Sequence, residues 1–177
     1  MARIGFIGLG AMGLCMARNL ISNGHEVIGF DFSKVAMDAH VENGGEIAIS
    51  AAEASAEANF AIAMLPNGDA VKQAVLGPSG VAEKLPKGSL LIDMSTIHPL
   101  ETDQIRQHLQ DHGISMVDAP VGRTSVEAEL GKSLFMVGAE KSDFEAVHPI
   151  LACMGDTFID CGGPGTGSRM KIVNNLM

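Results

Sequence analysis

The chain has 177 residues, 46% of them apolar, and a formal net charge of −9 at pH 7. This length fits one domain, or one domain and part of a second, and the apolar content is ample for a packed core. The acidic balance without a basic stripe excludes a nucleic-acid binder and argues against binding to an anionic membrane, so we expect no nucleic acid and no membrane as partner.

Strand and helix signals alternate along the chain. Predicted strands are residues 3–8, 26–31, 46–48, 59–64, 89–93, 114–118, 133–137 and 157–160. Predicted helices are residues 11–22, 33–42, 51–56, 68–76, 99–112, 142–151 and 167–177. Nearly continuous apolar strands such as 60–65 are typical of a parallel sheet with both faces covered. The sequence predicts an α/β fold of the Rossmann type, with a doubly wound and mostly parallel sheet.

A glycine-rich break at residues 162–167 separates the last predicted helix from the sheet. We therefore expect a domain over residues 1–162 and the start of an interdomain helix over residues 163–177. The chain ends inside that helix without a stop signal, so we expect a fragment that lacks its next domain. A short natural terminal helix is the alternative.

The first strand runs into the spacing G-x-G-x-x-G, formed by Gly8, Gly10 and Gly13, at the start of a helix. The first glycine permits a tight turn, the second lets phosphates approach the backbone, and the third lets the helix pack closely. The N–H groups at the helix start, at Ala11 and Met12, would face an anion. These five residues predict a dinucleotide site.

Asp31 ends the second strand, about twenty residues beyond the glycines, where an acid accepts hydrogen bonds from ribose hydroxyls. A 2′-phosphate would be repelled there, which favours NAD over NADP, although Lys34 is a weak sign of tolerance. Asp31 is also compatible with a helix N-cap. Leu65 and Thr96 follow two further strands and are expected to contact the cofactor.

Lys171, Asn174 and Asn175 stand at i, i+3 and i+4 and so share one helix face. Their position within about a turn of the helix start predicts that the helix dipole lowers the pKa of Lys171. A solvated surface is the alternative. The second polar element is the predicted loop 118–125, where Arg123 is accompanied by Thr124 and Ser125.

A guanidinium, two hydroxyls and backbone N–H groups suit an anion. The alternative for Arg123 is a structural salt bridge with Asp118 or Glu127. The three cysteines, Cys15, Cys153 and Cys161, form no metal-ligand pattern, so we expect no metal and a reducing, cytoplasmic location.

Three segments in order resemble the β-hydroxyacid dehydrogenases: residues 6–13, the segment 118–121, and G-x-G-x-x-x-K-x-x-N-N at 165–175. The resemblance covers the whole chain. It implies an NAD-dependent oxidoreductase with Lys171 as the general acid and Asn175 orienting Lys171 or the substrate oxygen. It further implies a following all-α domain, nearly all of it missing here, and a homo-oligomer at full length.

One departure concerns the substrate. The family usually has Ser-Gly-Gly after Pro-Val, to hold a carboxylate, whereas this chain has Gly122-Arg123-Thr124. Arg123, Thr124, Ser125 and Asn174 are expected to bind the anionic end of a small aldehyde, and the arginine favours a sulfonate. A carboxylated semialdehyde stays open, because arginine binds carboxylates as well. A third interpretation is that this fragment binds the cofactor without turnover.

Overall fold

The computed structural model describes residues 1–176, and one sheet with helices on both faces accounts for its regular structure. The strands within this range are β1 Arg3–Ile7, β2 Glu26–Phe30, β3 Glu46–Ile47, β4 Phe60–Ala63, β5 Leu90–Asp93, β6 Ser115–Asp118, β7 Val121–Gly122, β8 Ser133–Gly138 and β9 Gly155–Gly162. The helices are α1 Ala11–Ser22, α2 Lys34–Glu42, α3 Ala51–Ser55, α4 Gly68–Leu76, α5 Val81–Lys84, α6 Pro99–Asp111, α7 Ser125–Glu129, α8 Lys141–Leu151 and α9 Thr166–Leu176.

Strands β1 to β6 form the parallel part of the sheet, in the order β3-β2-β1-β4-β5-β6. This is the strand order of a Rossmann fold. The order in which strands are added to the sheet reverses between β1 and β4: β2 and β3 lie on one side of β1, and β4 to β6 lie on the other side. The carboxyl ends of β1 and β4 therefore flank the crevice where ligands bind in such sheets. The predicted fold class is confirmed.

The sheet continues through strands that run in both directions. Both β6 and β7 pair with β8 in antiparallel orientation, and β9 pairs with β8 in parallel. Pro120 lies between β6 and β7 and has no N–H to donate. Its carbonyl oxygen accepts a hydrogen bond from the Met136 N–H at 3.2 Å. The proline thus separates two short strands, β6 and β7, that both pair with β8.

The core lies in two layers, one on each face of the sheet. Consecutive strand residues point to opposite faces, so Phe6 belongs to one apolar cluster and Ile7 to the other. Leu20 of α1 packs in the first cluster and Ile105 of α6 in the second. Helices on both faces explain why the central strands contain so few polar residues.

The predicted bounds of α1 and α4 match the structure, and the other predicted elements agree within two residues at each end. The prediction missed α5, β7 and α7, so the expected loop 118–125 is in fact a strand end, a short strand and the start of a helix. Met177, the last residue of the final predicted helix, lies outside the described residues. The division at residue 162 stays a prediction. In the part of the chain described, no helix has the length and apolar composition needed to cross a bilayer.

Candidate functional site

The turn between β1 and α1 has the backbone geometry that its glycine spacing predicts. Gly8 has a φ of 97°, and its N–H donates to the carbonyl oxygen of Phe30 at 3.0 Å. A Cβ at Gly13 would overlap the carbonyl oxygen of Gly8, so only glycine lets α1 start so close to the turn. A Cβ at Gly10 would meet nothing within 4 Å, so a ligand can reach the backbone there.

The N-terminus of α1 is open to an anion. Gly10 is its N-cap and supplies no side-chain hydrogen bond. The N–H groups of the first turn, including those of Ala11 and Met12, therefore lack helical partners and lie at the positive end of the helix dipole. Together with the bare backbone at Gly10, this arrangement fits the pyrophosphate of a dinucleotide.

Asp31 organises the rim of this turn. Its Oδ2 accepts the N–H of Leu9 at 2.7 Å, and its Oδ1 accepts the N–H of Ser33 at 2.8 Å. A carboxylate has about four acceptor positions, so capacity for ribose hydroxyls remains. Asp31 is not the N-cap of α2, because Ser33 holds that position and accepts the N–H of Ala36.

A cavity of about 690 Å³ lies at the carboxyl ends of β1, β2 and β4. Its lining is mainly apolar and includes Gly8, Gly10, Asp31 and Leu65, together with Phe32 and Pro78. Cavities of this volume and character are typical of cofactor sites. Four of the predicted cofactor residues therefore lie around one space.

Two loops at the carboxyl edge are tied together. The N–H of Leu65 donates to Ser95 Oγ at 2.9 Å, and the N–H of Ser95 donates to Asp93 Oδ1 at 3.0 Å. Thr96, the next residue, is exposed. Burial raises the pKa of Asp93 to about 7, and the charge of nearby Asp118 adds to this effect, while the bonds from Ser95 oppose it. The predicted contact of Thr96 with the cofactor stays a prediction.

Lys171 lies in α9 and is partly buried. Its pKa is lowered, as predicted, but the predicted cause is wrong. Lys171 is in the second turn of a helix that begins at Thr166, beyond the first turn where the dipole acts. Burial, which disfavours the charged ammonium, is the cause.

The rest of the predicted catalytic helix face is open to solvent in this chain. Asn174 and Asn175 are exposed, and the apolar side chains of Val173 and Leu176 are exposed as well, the latter at 82%. Asn174 and Asn175 lie three and four residues beyond Lys171 on one helix, as predicted. The roles given to the two asparagines stay predictions.

Arg123 has an unusual backbone. Its φ is 71°, in the left-handed region that favours glycine. A side chain at such a position costs about 1–3 kcal/mol and persists where the surroundings hold it. The residue follows β7 and precedes the N-cap of α7, so short regular elements fix it on both sides.

The guanidinium of Arg123 binds two residues of β9 and the residue that precedes β8. It forms an ion pair with Asp156 at 2.7 Å, donates to Thr157 Oγ1 at 2.9 Å, and donates to the carbonyl oxygen of Lys132. The predicted alternative partners are wrong. Asp118 accepts the N–H groups of Gly165, just before α9, and of Ser168 in α9, and Glu127 completes the N-terminal cap of α7.

Thr124 and Ser125 begin α7. Thr124 is the N-cap, with its hydroxyl bonded to Glu127, whose side chain also accepts the Thr124 N–H at 3.0 Å. Ser125 is the first helical residue and is exposed. The two hydroxyls predicted to bind substrate therefore lie directly beside Arg123, and that of Thr124 already has an intramolecular partner.

The two polar elements meet the same strand. Gly122, next to Arg123, pairs with Leu134 of β8, whereas the start of α9 packs on Gly138 of β8. Four strand residues span about 13 Å, so the two backbones reach β8 about 13 Å apart. Among residues 1–176, no cluster of three His, Cys, Asp or Glu side chains could hold a metal ion.

Sequence comparison identifies the class of protein. The sequence profile of the NAD binding domain of 6-phosphogluconate dehydrogenase matches residues 3–163. The chain belongs to this family. The match agrees with the glycine turn, with Asp31 and with the cavity beside them, and it confirms the predicted cofactor class.

Individual relatives narrow the comparison. The chain is 47% identical over 177 residues to 3-sulfolactaldehyde reductase of Escherichia coli K12, matching all of this chain and 59% of that protein. It is 37% identical over 174 residues to bovine mitochondrial 3-hydroxyisobutyrate dehydrogenase, matching 98% of this chain and 52% of that protein. These names agree with the predicted resemblance to β-hydroxyacid dehydrogenases.

Comparison with solved structures gives a similar protein to the sequence comparison. A Mycobacterium tuberculosis 3-hydroxyisobutyrate dehydrogenase with L-serine is similar with a TM-score of 0.96 and 35% identity, over 99% of this chain and 60% of that one. The chain thus spans just over half the length of these relatives.

Three sets of contacts near the site were not predicted from the sequence. These are the ion pair of Arg123 with Asp156, the capping of α9 by Asp118, and the bond between Ser95 and Leu65. Each joins residues about 30 or more positions apart. The sequence carried one partial signal, since Asp93 and Asp118 both end predicted strands at the edge where ligands bind.

Proposed function

We propose that this chain is the cofactor-binding part of an NADH-dependent reductase that converts 3-sulfolactaldehyde to 2,3-dihydroxypropane-1-sulfonate. The observation that carries the proposal is Arg123, which takes a backbone conformation suited to glycine and holds its guanidinium in an ion pair with Asp156 of β9. Similarity to a 3-sulfolactaldehyde reductase supports the same substrate. Strain held at one residue is a reason to look for function there.

The hydrogen bonds of Arg123 leave one edge of its guanidinium for a ligand. Arginine has five N–H donors, and three bonds engage Lys132, Asp156 and Thr157 through Nη1 and Nη2. Thr157 Oγ1 itself donates to Asp156 Oδ1 at 2.8 Å, so both acceptors lie together at the Nη1–Nη2 edge. Within the described chain, Nε and the second Nη2 N–H remain, and this edge can bind two oxygens of one sulfonate.

Lys171 is the proposed general acid. When bound, the reduced nicotinamide supplies the hydride that the aldehyde carbon gains. As negative charge builds on the carbonyl oxygen, the Lys171 ammonium donates a proton to it, and the amine regains a proton from solvent. Burial lowers the pKa of Lys171, which makes the ammonium a stronger acid. Such assistance contributes about 10²–10⁴ in rate.

The remaining predicted residues hold the substrate. Asn175 orients Lys171 or the substrate oxygen, being one helical turn beyond the lysine. Asn174, Thr124 and Ser125 join Arg123 at the anionic end, which fixes the aldehyde carbon for the reaction.

A carboxylated substrate is the second candidate within the same reaction class. The observation that favours it is the same free guanidinium edge, because a carboxylate also binds it through two oxygens. Several relatives are named 3-hydroxyisobutyrate dehydrogenases. Succinic or tartronate semialdehyde, or 3-hydroxyisobutyrate in the reverse direction, would then be the substrate.

A third candidate concerns this chain by itself. It spans 59% of the E. coli relative, and the helix face with Asn174 and Asn175 is exposed. We expect the 177-residue chain to bind NADH weakly and to turn over little or no substrate. Steady-state reduction by this chain alone would contradict that expectation.

The test is a panel of aldehydes assayed with the full-length protein, with NADH and NADPH in parallel. We expect kcat/KM to be highest for 3-sulfolactaldehyde with NADH. Lys171→Ala should lower kcat about 10²–10⁴-fold and leave the NADH dissociation constant nearly unchanged. Lys141→Ala, which removes an exposed lysine at the start of α8, is the matched control.

Two results would overturn the proposal. Preference for a carboxylated semialdehyde would favour the second candidate, and full activity of Lys171→Ala would remove the general acid. A homo-oligomer at full length and a cytoplasmic location accompany the proposal as predictions, to be checked by light scattering and by fractionation.

A further inference from the structure

Asp118, at the end of β6, is buried and binds the beginning of α9 with both carboxylate oxygens. Oδ1 accepts the N–H of Gly165 at 2.6 Å, and Oδ2 accepts the N–H of Ser168 at 2.7 Å. Asp118 is 1% exposed. The N–H groups at a helix start otherwise need water or a capping side chain, and this carboxylate from β6 supplies such a cap to the N–H of Ser168 in the first turn of α9.

The contact between α9 and the sheet leaves no space for side chains. A Cβ at Gly138 of β8 would lie 2.6 Å from Asp118 Oδ1 and 2.6 Å from the backbone nitrogen of Gly167. A Cβ at Gly167 would lie 2.6 Å from the carbonyl oxygen of Asp118 and would overlap that of Met136. Glycines on both sides therefore let the helix backbone rest directly on β6 and β8.

Two contacts to α6 hold the same turn from another direction. The hydroxyls of Thr102 and Ser168, both buried, are 3.0 Å apart, and Arg169 forms an ion pair with Asp103 at 2.7 Å. The Asp103 pair is partly exposed and contributes less than the buried contacts. The first turn of α9 is thus fixed to three elements: β6, β8 and α6.

We propose that Asp118 is a positioning residue: by holding the first turn of α9, it fixes where the Lys171 amine lies. Asp118 acts through the helix rather than by touching the reacting atoms. Lys171 is three residues beyond Ser168, about 4.5 Å along the helix axis, so a shift of the first turn moves the amine with it. The inference rests on the proposed role of Lys171.

The direction in which the pKa of Lys171 changes distinguishes this positioning role from a direct effect of the Asp118 charge. The bond to Asp103 raises the pKa of Arg169 and burial raises the pKa of Cys161, with the charge of Asp118 adding to both, whereas the lowered pKa of Lys171 is due to burial. Releasing α9 would expose the amine and let its pKa return toward the ordinary value. Direct loss of a neighbouring negative charge would instead lower the pKa of a lysine, so the two effects have opposite signs.

The test is Asp118→Asn in the full-length protein. Asparagine keeps the size of the side chain, but its NH₂ faces an N–H of α9, so one of the two bonds is lost. We expect kcat to fall about 10- to 100-fold, because small displacements of a reacting group cost this much. The NADH dissociation constant should stay within about twofold, and the basic limb of the kcat–pH profile should move to higher pH.

Asp93→Asn is the matched control. Asp93 is equally buried and stands opposite Asp118 in the register of β5 and β6, but it binds Ser95 and makes no bond to α9. We expect its basic limb to coincide with that of the wild type. If Asp118→Asn fails to fold, Thr102→Val removes the bond to Ser168 with little change in shape and should move the limb in the same direction by less.

Hydrogen exchange on the 177-residue chain gives a readout apart from activity. In Asp118→Asn the amides of α9 should exchange faster, while those of β1 and α1 keep their wild-type rates. Unchanged exchange in α9, or an unchanged basic limb with wild-type kcat, would overturn the positioning role. If Lys171→Ala keeps full activity, the proposed general acid has failed instead, and faster exchange of α9 would then leave only the capping established.

Discussion

Replacing Arg123 with glycine separates the cost of its backbone conformation from its use in binding an anion. The φ of 71° costs an L-residue about 1–2 kcal/mol, and glycine removes this cost. Glycine also gives the unfolded chain more freedom, which destabilises by about 0.4–1 kcal/mol. The lost ion pair with Asp156 is exposed and changes stability little. These effects nearly cancel, so the free energy of unfolding should change by less than about 1 kcal/mol.

Binding should change much more than stability. A hydrogen bond to a charged group contributes about 1.5–3 kcal/mol, and 1.4 kcal/mol is tenfold in affinity. Arg123→Gly should therefore raise KM for a sulfonated aldehyde about 10- to 100-fold. The increase for a carboxylated aldehyde should be smaller, because glycine restores the Gly at this position that the resembled family uses for carboxylates.

The assay is initial-rate kinetics on both aldehydes, together with thermal unfolding of each variant. Arg3→Ala is the control, since Arg3 forms exposed ion pairs with Glu26 and Glu57 at the amino ends of the parallel strands, away from the carboxyl ends where ligands bind. Equal increases of KM for both aldehydes would refute the sulfonate preference. An unchanged KM with a markedly lower melting temperature would show that Arg123 is structural.

Two further predictions concern carboxylates at the sheet edge. Asp31→Ala removes the acceptor for the Leu9 and Ser33 N–H groups and for the ribose. NADH binding, measured by a fluorescence titration, should therefore weaken about 10- to 100-fold. Binding as tight as that of the wild type would contradict the assignment of Asp31. Burial raises the pKa of Asp93 from 3.8 to about 7, so between these pH values the folded state keeps a proton that the unfolded chain loses. The free energy of unfolding therefore has its full contribution from Asp93 below pH 3.8 and loses it as the pH rises to 7. Asp93→Asn should remove that slope and stabilise the protein at pH 8 by up to roughly 4 kcal/mol, measured by urea unfolding from pH 4 to 8; an unchanged slope would contradict the raised pKa.

Local signals in the sequence were sufficient for most of the fold. Helix α1 follows a glycine turn and has Asn23 as its C-cap, and α4 lies between the N-cap Asn67 and the C-cap Gly77, so both ends of each helix are marked by nearby residues. Helix α7 was missed because its five residues carry no apolar repeat, and its start depends on a cap between Thr124 and Glu127. The antiparallel pairing of β8 was missed because a strand sequence does not state the direction of its neighbour.

Some features of the candidate site could likewise be predicted from local sequence, and others could not. The glycine turn and Asp31 could be predicted because their spacing is set by one βαβ unit, whose geometry varies little. The cause of the lowered pKa of Lys171 could not, because burial depends on the elements that pack around a residue. The partners of Arg123 and Asp118 are 33 and about 50 residues away along the chain, and no local pattern announces them.

The sequence by itself determined the alternation of strands and helices, the dinucleotide turn and the identity of the polar residues available for chemistry. These follow from backbone preferences and side-chain periodicity over a few residues. Only the tertiary structure decided that β8 reverses direction, that Asp156 holds Arg123, and that Asp118 caps α9. Such contacts form when distant segments meet at the carboxyl edge of the sheet, where buried charges and unpaired N–H groups require partners from elsewhere in the chain.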